Sequence, residues 1–517
     1  MSGRARAHAA LGLALGLVGC RGEVEQARIE GRDAEGQRVG ALAAAFDRGD
    51  CPEVERLAAG FRPTTALRLA AASTWLGRCL YQGGRFADAE RVLEPVAAQQ
   101  AHDPFTRRAL YQLGRAVYRQ GRFDEAEATF VEFERRFARD TLADDAAYHR
   151  AKARLRADDL GGARALFEAL LERPHVSRFR EAGAHFQLGR IEASVATRAA
   201  PALDAAAAER AFARFALVER DFADTGFRDD AAYRAARLTY ASGDFAQAEA
   251  ALAQFEADYP DSSWREGARY YRGRSVEASG RADAAAALFA SWSTDFPEGR
   301  YRDNAEYRLG QVRYGEAGRL TGLEADRAYD AAMTAFEAFL RAWPESSLRT
   351  SGQYFLGRAL FERRRFAEAR AQFTQVALDA ESPYVDNALY YSGRADYEAA
   401  SVAGPASLER AIASFDALLA RFAVSPFADD AAYFRARALF RLMRNADADA
   451  AFTSFEEAYP SSPYVDNAIY HRLLLAAARG DCASAAALLA SMRARFASST
   501  LLPDAERVVL ACAPQGG

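Results

Sequence analysis

Apolar positions along the chain follow a helical period, with a longer period laid over it. Between Ala109 and Phe137, small and apolar residues recur every three to four positions, stop at Gly121, and resume through Phe123, Ala126, Phe130 and Phe133. That spacing predicts two amphipathic helices with a glycine turn between them. The block returns along the chain. Aromatics in the same local setting stand at Tyr111, Tyr148, Phe186, Tyr233, Tyr270, Tyr307, Tyr354, Tyr390, Tyr433 and Tyr470, mostly 36 to 38 residues apart, with wider steps of 47, 47 and 43. A single hairpin leaves its apolar face wet, so units recurring at this interval must stack on one another. Several units close on a proline that stops the second helix: Pro260, Pro297, Pro344 and Pro460. The expected fold is an all-α solenoid superhelix of helix-turn-helix units.

Within the unit, Leu113, Gly114, Gly121, Phe123, Ala126 and Phe130 resemble the tetratricopeptide-repeat pattern. In that pattern small residues let helices A and B approach and aromatics fill the space between neighbouring hairpins. Segments such as Phe255 to Ser263 resemble the repeats of bacterial periplasmic lipoproteins of the BamD and CpoB kind. The superhelical domain of soluble lytic transglycosylases is a more distant likeness. The organisation expected is a leader over 1–19, a lipidated cysteine and polar tether over 20–39, a degenerate capping repeat over 40–65, eleven repeats over 66–502, and a closing helix and tail over 503–517.

The leader changes where the chain is placed. Arg4 and Arg6 precede an apolar run from Ala9 to Val18, which is too short to span a bilayer. Leu17-Val18-Gly19-Cys20 at its end resembles the bacterial lipobox, which implies acylation of Cys20 and attachment to a membrane through lipid. Arg21 is not the aspartate that holds such proteins at the inner membrane, so the outer membrane, facing the periplasm, is expected. In that oxidising compartment Cys51, Cys79, Cys482 and Cys512 form an even set. Cys51 and Cys482 each follow a Gly-Asp at the start of a B helix, while Cys79 and Cys512 each fall on the next A helix. The matching placement predicts two terminal staples, Cys51–Cys79 and Cys482–Cys512.

Half of the residues are hydrophobic and 27% are charged, which provides ample material for a core. Net charge is −4 and no basic block stands out, so nucleic acid is not an expected partner. Lys152 is the single lysine. A cation recurs four residues after the aromatic, on the same helical face: Tyr111 and Arg115, Tyr148 and Lys152, Phe186 and Arg190, Tyr233 and Arg237, Tyr270 and Arg274, Tyr354 and Arg358, Tyr390 and Arg394, Tyr433 and Arg437, with Arg78 in the first unit. Two readings follow. The resemblance places these positions on the concave face, where they would contact an acidic or aromatic-rich partner. Alternatively the cations pair with the acids that open many A helices, such as Asp144, Asp145, Asp303, Asp386, Asp429, Asp430 and Asp466. Repetition in nearly every unit favours this structural reading.

No catalytic residue, metal site or cofactor is expected. Glu381-Ser382 matches the Glu-Ser of transglycosylases, but Ser382-Pro-Tyr-Val-Asp-Asn-Ala recurs at Ser462 to Ala468, and so reads as a turn between repeats. The histidines are scattered, and the paired aspartates lack the dense oxygen loop of a calcium site. Extra residues around Ser194–Ala208, Gly315–Arg327 and Ser401–Glu409 are expected to form loops at one edge. The function expected is a noncatalytic envelope scaffold for other envelope proteins, in assembly, secretion or wall coordination. The alternative is a peptidoglycan-associated module that binds wall or wall enzymes.

Overall fold

The computed structural model describes residues 33–198 and 203–512, so the leader, Cys20 and the stretch around Pro201 lie outside it. Every regular element among the described residues is a helix. The chain divides into two compact units, residues 1–242 and 243–517.

Unit one contains α1 (Ala34–Asp47), α2 (Cys51–Ala58), α3 (Ala66–Gln82), α4 (Phe86–Ala97), α5 (Pro104–Arg119), α6 (Phe123–Arg136), α7 (Ala143–Arg156), α8 (Leu160–Leu171), α9 (Arg178–Arg198), α10 (Ala205–Asp221) and α11 (Arg228–Ala241). Unit two contains α12 (Phe245–Asp258), α13 (Arg265–Ala278), α14 (Ala282–Ala290), α15 (Trp292–Asp295), α16 (Arg302–Ala317), α17 (Gly322–Ala342), α18 (Arg349–Glu362), α19 (Phe366–Leu378), α20 (Val385–Ala403), α21 (Pro405–Arg421), α22 (Ala428–Arg441), α23 (Asn445–Ala458), α24 (Val465–Ala478), α25 (Cys482–Arg495) and α26 (Leu502–Cys512). In chain order, α1 and α2 form the capping pair and α26 closes the array. The helices between them alternate A and B, with one B helix broken into α14 and α15. The capping pair starts at Ala34, inside the stretch expected to be tether.

Local chemistry explains each hairpin. The A-to-B turn needs one residue with positive φ, supplied by Gly121 at 81° and by non-glycines Asp158, Arg364 and Met443 at 65°, 58° and 56° elsewhere. An aspartate often follows and caps helix B: Asp50 accepts from the Glu53 N–H at 3.1 Å and Asp481 from that of Ser484 at 3.0 Å. Helix A then receives a B-helix phenylalanine against a glycine. A Cβ placed on Gly114 would lie 2.8 Å from the Phe130 ring, and one on Gly357 the same distance from Phe373. Both phenylalanines are fully buried, and truncating such a residue to alanine typically costs about 3–5 kcal/mol.

The next hairpin is held by a link of two parts, clearest in unit two. The A-helix tyrosine stacks on an aromatic of the following turn, Tyr354 on Tyr384 at 4.4 Å and Tyr433 on Tyr464 at 4.5 Å between centroids. The turn serine donates back to the aspartate that opened the previous A helix: Ser346 to Asp303, Ser425 to Asp386 and Ser499 to Asp466, each at 2.7 Å. These aspartates therefore bond to serines, where arginine partners were expected. In unit one Asp144 pairs with Arg173 at 3.4 Å and Asp145 with Arg180, neither of them a cation of the ladder.

Each end is stapled. Cys51 is bonded to Cys79 with Cα atoms 5.2 Å apart, and Cys482 to Cys512 with Cα atoms 5.5 Å apart. The expected edge loops are corrected by the structure. The described extra residues lengthen helices, with α9 and α17 each running 21 residues and α20 running 19. Gly404 alone separates α20 from α21. Segments such as Leu323-Glu-Ala-Asp-Arg-Ala are made of helix formers, and adding turns to a packed hairpin satisfies their backbone better than a loop would.

Candidate functional site

The aromatic–cation ladder lies on the A helices, and the structure separates its two members. The tyrosines are packing residues: Tyr111, Tyr233, Tyr270, Tyr354, Tyr390 and Tyr433 are all buried, with at most 7% exposure. As ring contacts for a ligand they are withdrawn by that burial, with Phe130 and Phe133 against Tyr111 and Tyr384 against Tyr354. The cations are half-buried.

In unit two the heads are engaged. Arg358 donates to the Tyr354 hydroxyl at 3.0 Å, lies 4.1 Å from the Tyr391 ring centroid, and has Glu362 at 4.0 Å. Arg394 repeats this with the Tyr390 hydroxyl at 2.9 Å, the Phe434 ring at 4.0 Å and Glu398 at 3.1 Å. Arg274 pairs with Glu277 at 3.5 Å. Arg437 lies near three rings, those of Tyr397, Tyr433 and Phe434, at 5.5 to 5.8 Å. In the one unit where glutamine replaces the cation, Gln311 donates to the Tyr307 hydroxyl at 2.7 Å.

In unit one Arg78, Arg115 and Lys152 sit on rings of the preceding hairpin. Arg78 lies 4.6 Å over Phe46, Arg115 4.6 Å over Tyr81, and Lys152 5.6 Å over Tyr118. Arg115 donates to Gln112 and to the Tyr81 hydroxyl, each at 3.3 Å, and Arg190 to Gln187 at 2.8 Å. Arg237 donates to the Tyr233 hydroxyl at 3.3 Å. Burial pushes the Lys152 amine down to about 8, and the nearby Arg180, Arg156, Arg190 and Arg115 push it the same way. Arg78 is pushed down to about 10 by burial, then by Arg108 and Arg115.

The remaining chemistry-bearing residues serve packing. His149 stacks on Phe130 at 5.7 Å, and burial holds its pKa well below the usual histidine range. His471 stacks on Phe452 at 5.1 Å and is held down to about 4, chiefly by burial. Ser382 accepts the Tyr384 N–H at 3.2 Å within an inter-repeat turn, so Glu381-Ser382 is a turn element. Among the described residues, no group of three or more His, Cys, Asp or Glu side chains is placed to hold a metal ion, and no helix is long and apolar enough to cross a membrane.

Among solved structures, the chain is similar to a tetratricopeptide repeat protein from Parabacteroides merdae, at 14% identity over 55% of this chain and 98% of that one, with a TM-score of 0.34. It is similar to pilF of Pseudomonas aeruginosa, at 15% identity over 47% and 96% with a TM-score of 0.33. It is also similar to the C-terminal part of a repeat-containing protein from Cytophaga hutchinsonii, at 14% over 53% and 98% with a TM-score of 0.41. No curated protein matches the sequence. The tetratricopeptide-repeat family matches at residues 76–141, 111–175, 233–299, 320–386 and 407–465, together more than half of the chain. With its hairpins, glycine–phenylalanine contacts and stacked turns, this chain belongs to the tetratricopeptide-repeat family.

Proposed function

We propose that the protein is a noncatalytic scaffold of the bacterial envelope, anchored by an acylated Cys20 to the outer membrane and binding envelope proteins along its repeats. The observation that carries the scaffold reading is the repeat match over more than half of the chain. The envelope placement is supported by the lipobox-like Leu17 to Cys20 and by two disulfides, a bond type that persists in oxidising compartments. The resemblance of segments such as Phe255 to Ser263 to periplasmic repeat lipoproteins supports a role in outer-membrane assembly, secretion or coordination with the cell wall.

Crosslinking in cells followed by mass spectrometry tests the scaffold reading, with discrete envelope proteins as the expected products. Recovery of wall fragments in their place, with retention on purified cell wall, would support a peptidoglycan-associated module. Cys20→Ser tests the anchor. The variant should lose lipid labelling and shift from the membrane fraction to the soluble one. Unchanged fractionation would refute lipid anchoring and leave the scaffold reading standing.

A further inference from the structure

We propose that Lys152 is a covalent modification site, whose amine takes up carbon dioxide as a carbamate held among arginines of three successive A helices. The proposal goes beyond the scaffold reading and does not depend on it. Lysine occurs once among the 67 basic side chains of the chain. It stands at the ladder position, where every other unit with a cation has arginine. A guanidinium keeps its proton at any working pH, whereas an amine can lose it and become a nucleophile. Packing on a ring does not call for the exchange, because Arg115 sits over Tyr81 as Lys152 sits over Tyr118.

The geometry gathers cations about this one amine. Lys152 is half-buried on α7, with its nitrogen 5.6 Å from the Tyr118 ring centroid on α5 and 5.7 Å from the Tyr148 ring on its own helix. Among the described residues these ring faces are its side-chain contacts, with no hydrogen bond and no ion pair. Arg180 of α9 lies 4.9 Å over the same Tyr148 ring. Gln187 donates to the Tyr148 hydroxyl at 3.4 Å and accepts from Arg190, also on α9, at 2.8 Å. Arg156 follows one helical turn along α7, and Arg115 faces the amine from α5.

The acids of the surrounding helices are engaged elsewhere. Asp145 pairs with Arg180, Glu127 of α6 with Arg154, and Glu192 of α9 with Arg164 of α8. Burial, then Arg180, Arg115 and Lys152 itself, keep the adjoining His149 neutral. Burial, then Arg180, Arg156, Arg190 and Arg115, bring the Lys152 amine to about 8. At about pH 7.5 its neutral form is therefore about two orders of magnitude more abundant than that of an ordinary lysine.

The same arginines select the electrophile. The nitrogen lone pair attacks the carbon of carbon dioxide, an N–C bond forms, one C–O π pair moves onto oxygen, and one amine proton leaves to solvent. Nothing is oxidised or reduced. The product is an anion among cations, so the cluster favours it over the amine. An imine formed with an aldehyde would be cationic when protonated, and acylation would give a neutral amide. The arginines oppose the first and gain nothing from the second. Carbon dioxide is also small and uncharged, and so reaches a half-buried amine between two phenol rings. Once modified, Lys152 attracts the arginines of α5 and α9 that it otherwise repels, and carbon dioxide stabilises unit one.

The test equilibrates the purified full chain with carbon-13-labelled bicarbonate and carbon dioxide at about pH 8. A carbamate carbon signal should appear by NMR. Trapping with triethyloxonium and peptide mass spectrometry should place the added group on Lys152. Lys152→Arg, which installs the residue of the other units, should fold normally and lose the modification. Arg156→Gln with Arg190→Gln should lower occupancy at fixed carbon dioxide by at least about tenfold. Arg91→Gln with Arg135→Gln, on exposed B-helix surface, should leave it within about twofold. At constant pH and ionic strength, carbon dioxide should raise the urea midpoint of the parent and leave that of Lys152→Arg unchanged. Acetic anhydride is the comparison reagent. Acetylation of Lys152 without any carbamate would reduce the site to a reactive amine and overturn the proposal. Carbamate that persists in Lys152→Arg, or equal occupancy in the two arginine pairs, would overturn it as well.

Discussion

The two units place a cation at the same point of helix A and use it differently. In unit two Arg358 and Arg394 are each held by their own repeat's tyrosine hydroxyl, by a ring of the next repeat, and by a glutamate one turn further along. In unit one the residue one turn further is Arg119 after Arg115, Arg156 after Lys152 and Ser194 after Arg190. For Arg358 and Arg394 the glutamate at the next turn completes the contact, whereas Arg437 of unit two is followed by Arg441 and meets rings alone. Periodicity marks a position as important, and the residue at the next turn determines what the position is for.

The terminal staples provide the control, because both units carry one. Each closes a loop whose ends lie 28 or 30 residues apart, which in a chain-entropy account stabilises the terminal hairpin by roughly 3–4 kcal/mol. Cys51→Ser with Cys79→Ser, and separately Cys482→Ser with Cys512→Ser, should therefore loosen their own ends by similar amounts. Hydrogen exchange resolved by repeat is the measurement, since arrays unfold locally. Loss of protection spreading equally through both units from either change would show that cooperativity, and not local packing, governs the molecule. The contrast between the ladders would then lose its structural meaning.

The ladder itself gives the next largest effect. Arg358→Ala with Arg394→Ala removes two cation–ring contacts, worth about 0.5–1 kcal/mol each at half-buried heads, and two hydrogen bonds to phenols worth about 0.5–1 kcal/mol each. A destabilisation of roughly 2–4 kcal/mol in unit two is expected, seen as earlier urea unfolding. Arg115→Ala with Arg190→Ala should cost less than about 1 kcal/mol, because those heads are opposed by like charge and meet only neutral acceptors. Equal losses would break the comparison and make the whole ladder structural.

Much of this architecture was legible in the sequence. Gly121 and its counterparts marked the hairpin turns, Phe130 against Gly114 marked the core, and the matched Gly-Asp-Cys positions gave the staples. What escaped was contact between residues far apart in the chain. The Ser425–Asp386 bond joins two elements of a recurring motif, but only folding shows that the serine reaches back one full repeat. Tyrosine burial escaped for the same reason, because Tyr354 is covered by Tyr384 of the following turn. The added segment around Gly322 was read as a loop because it interrupts the period. Its composition was helical throughout, and α17 absorbs it.

Lys152 offers the smallest expected effect and the sharpest test, because the two readings differ in sign. Its amine is buried without a carboxylate and titrates near 8, below the usual 10.5 of lysine. Unfolding returns it to water and to its ordinary pKa, so below about pH 8 the folded state carries the full penalty of holding the charge. As pH rises from about 8 towards 10.5, the folded protein sheds the proton before the unfolded chain does, and this contribution shifts in favour of folding. Lys152→Met keeps the packing stem and removes the charge, at the loss of weak contacts with Tyr118 and Tyr148. The variant should be more stable than the parent by about 1 kcal/mol at neutral pH, after allowance for the partly exposed head. Its advantage should shrink steadily above pH 8, as followed by paired urea titrations across that range. A variant less stable than the parent at neutral pH would place Lys152 beside Arg358 as a structural member. A more stable variant would show that the Lys152 charge is held at a cost to the fold, which a purely structural ladder would not carry.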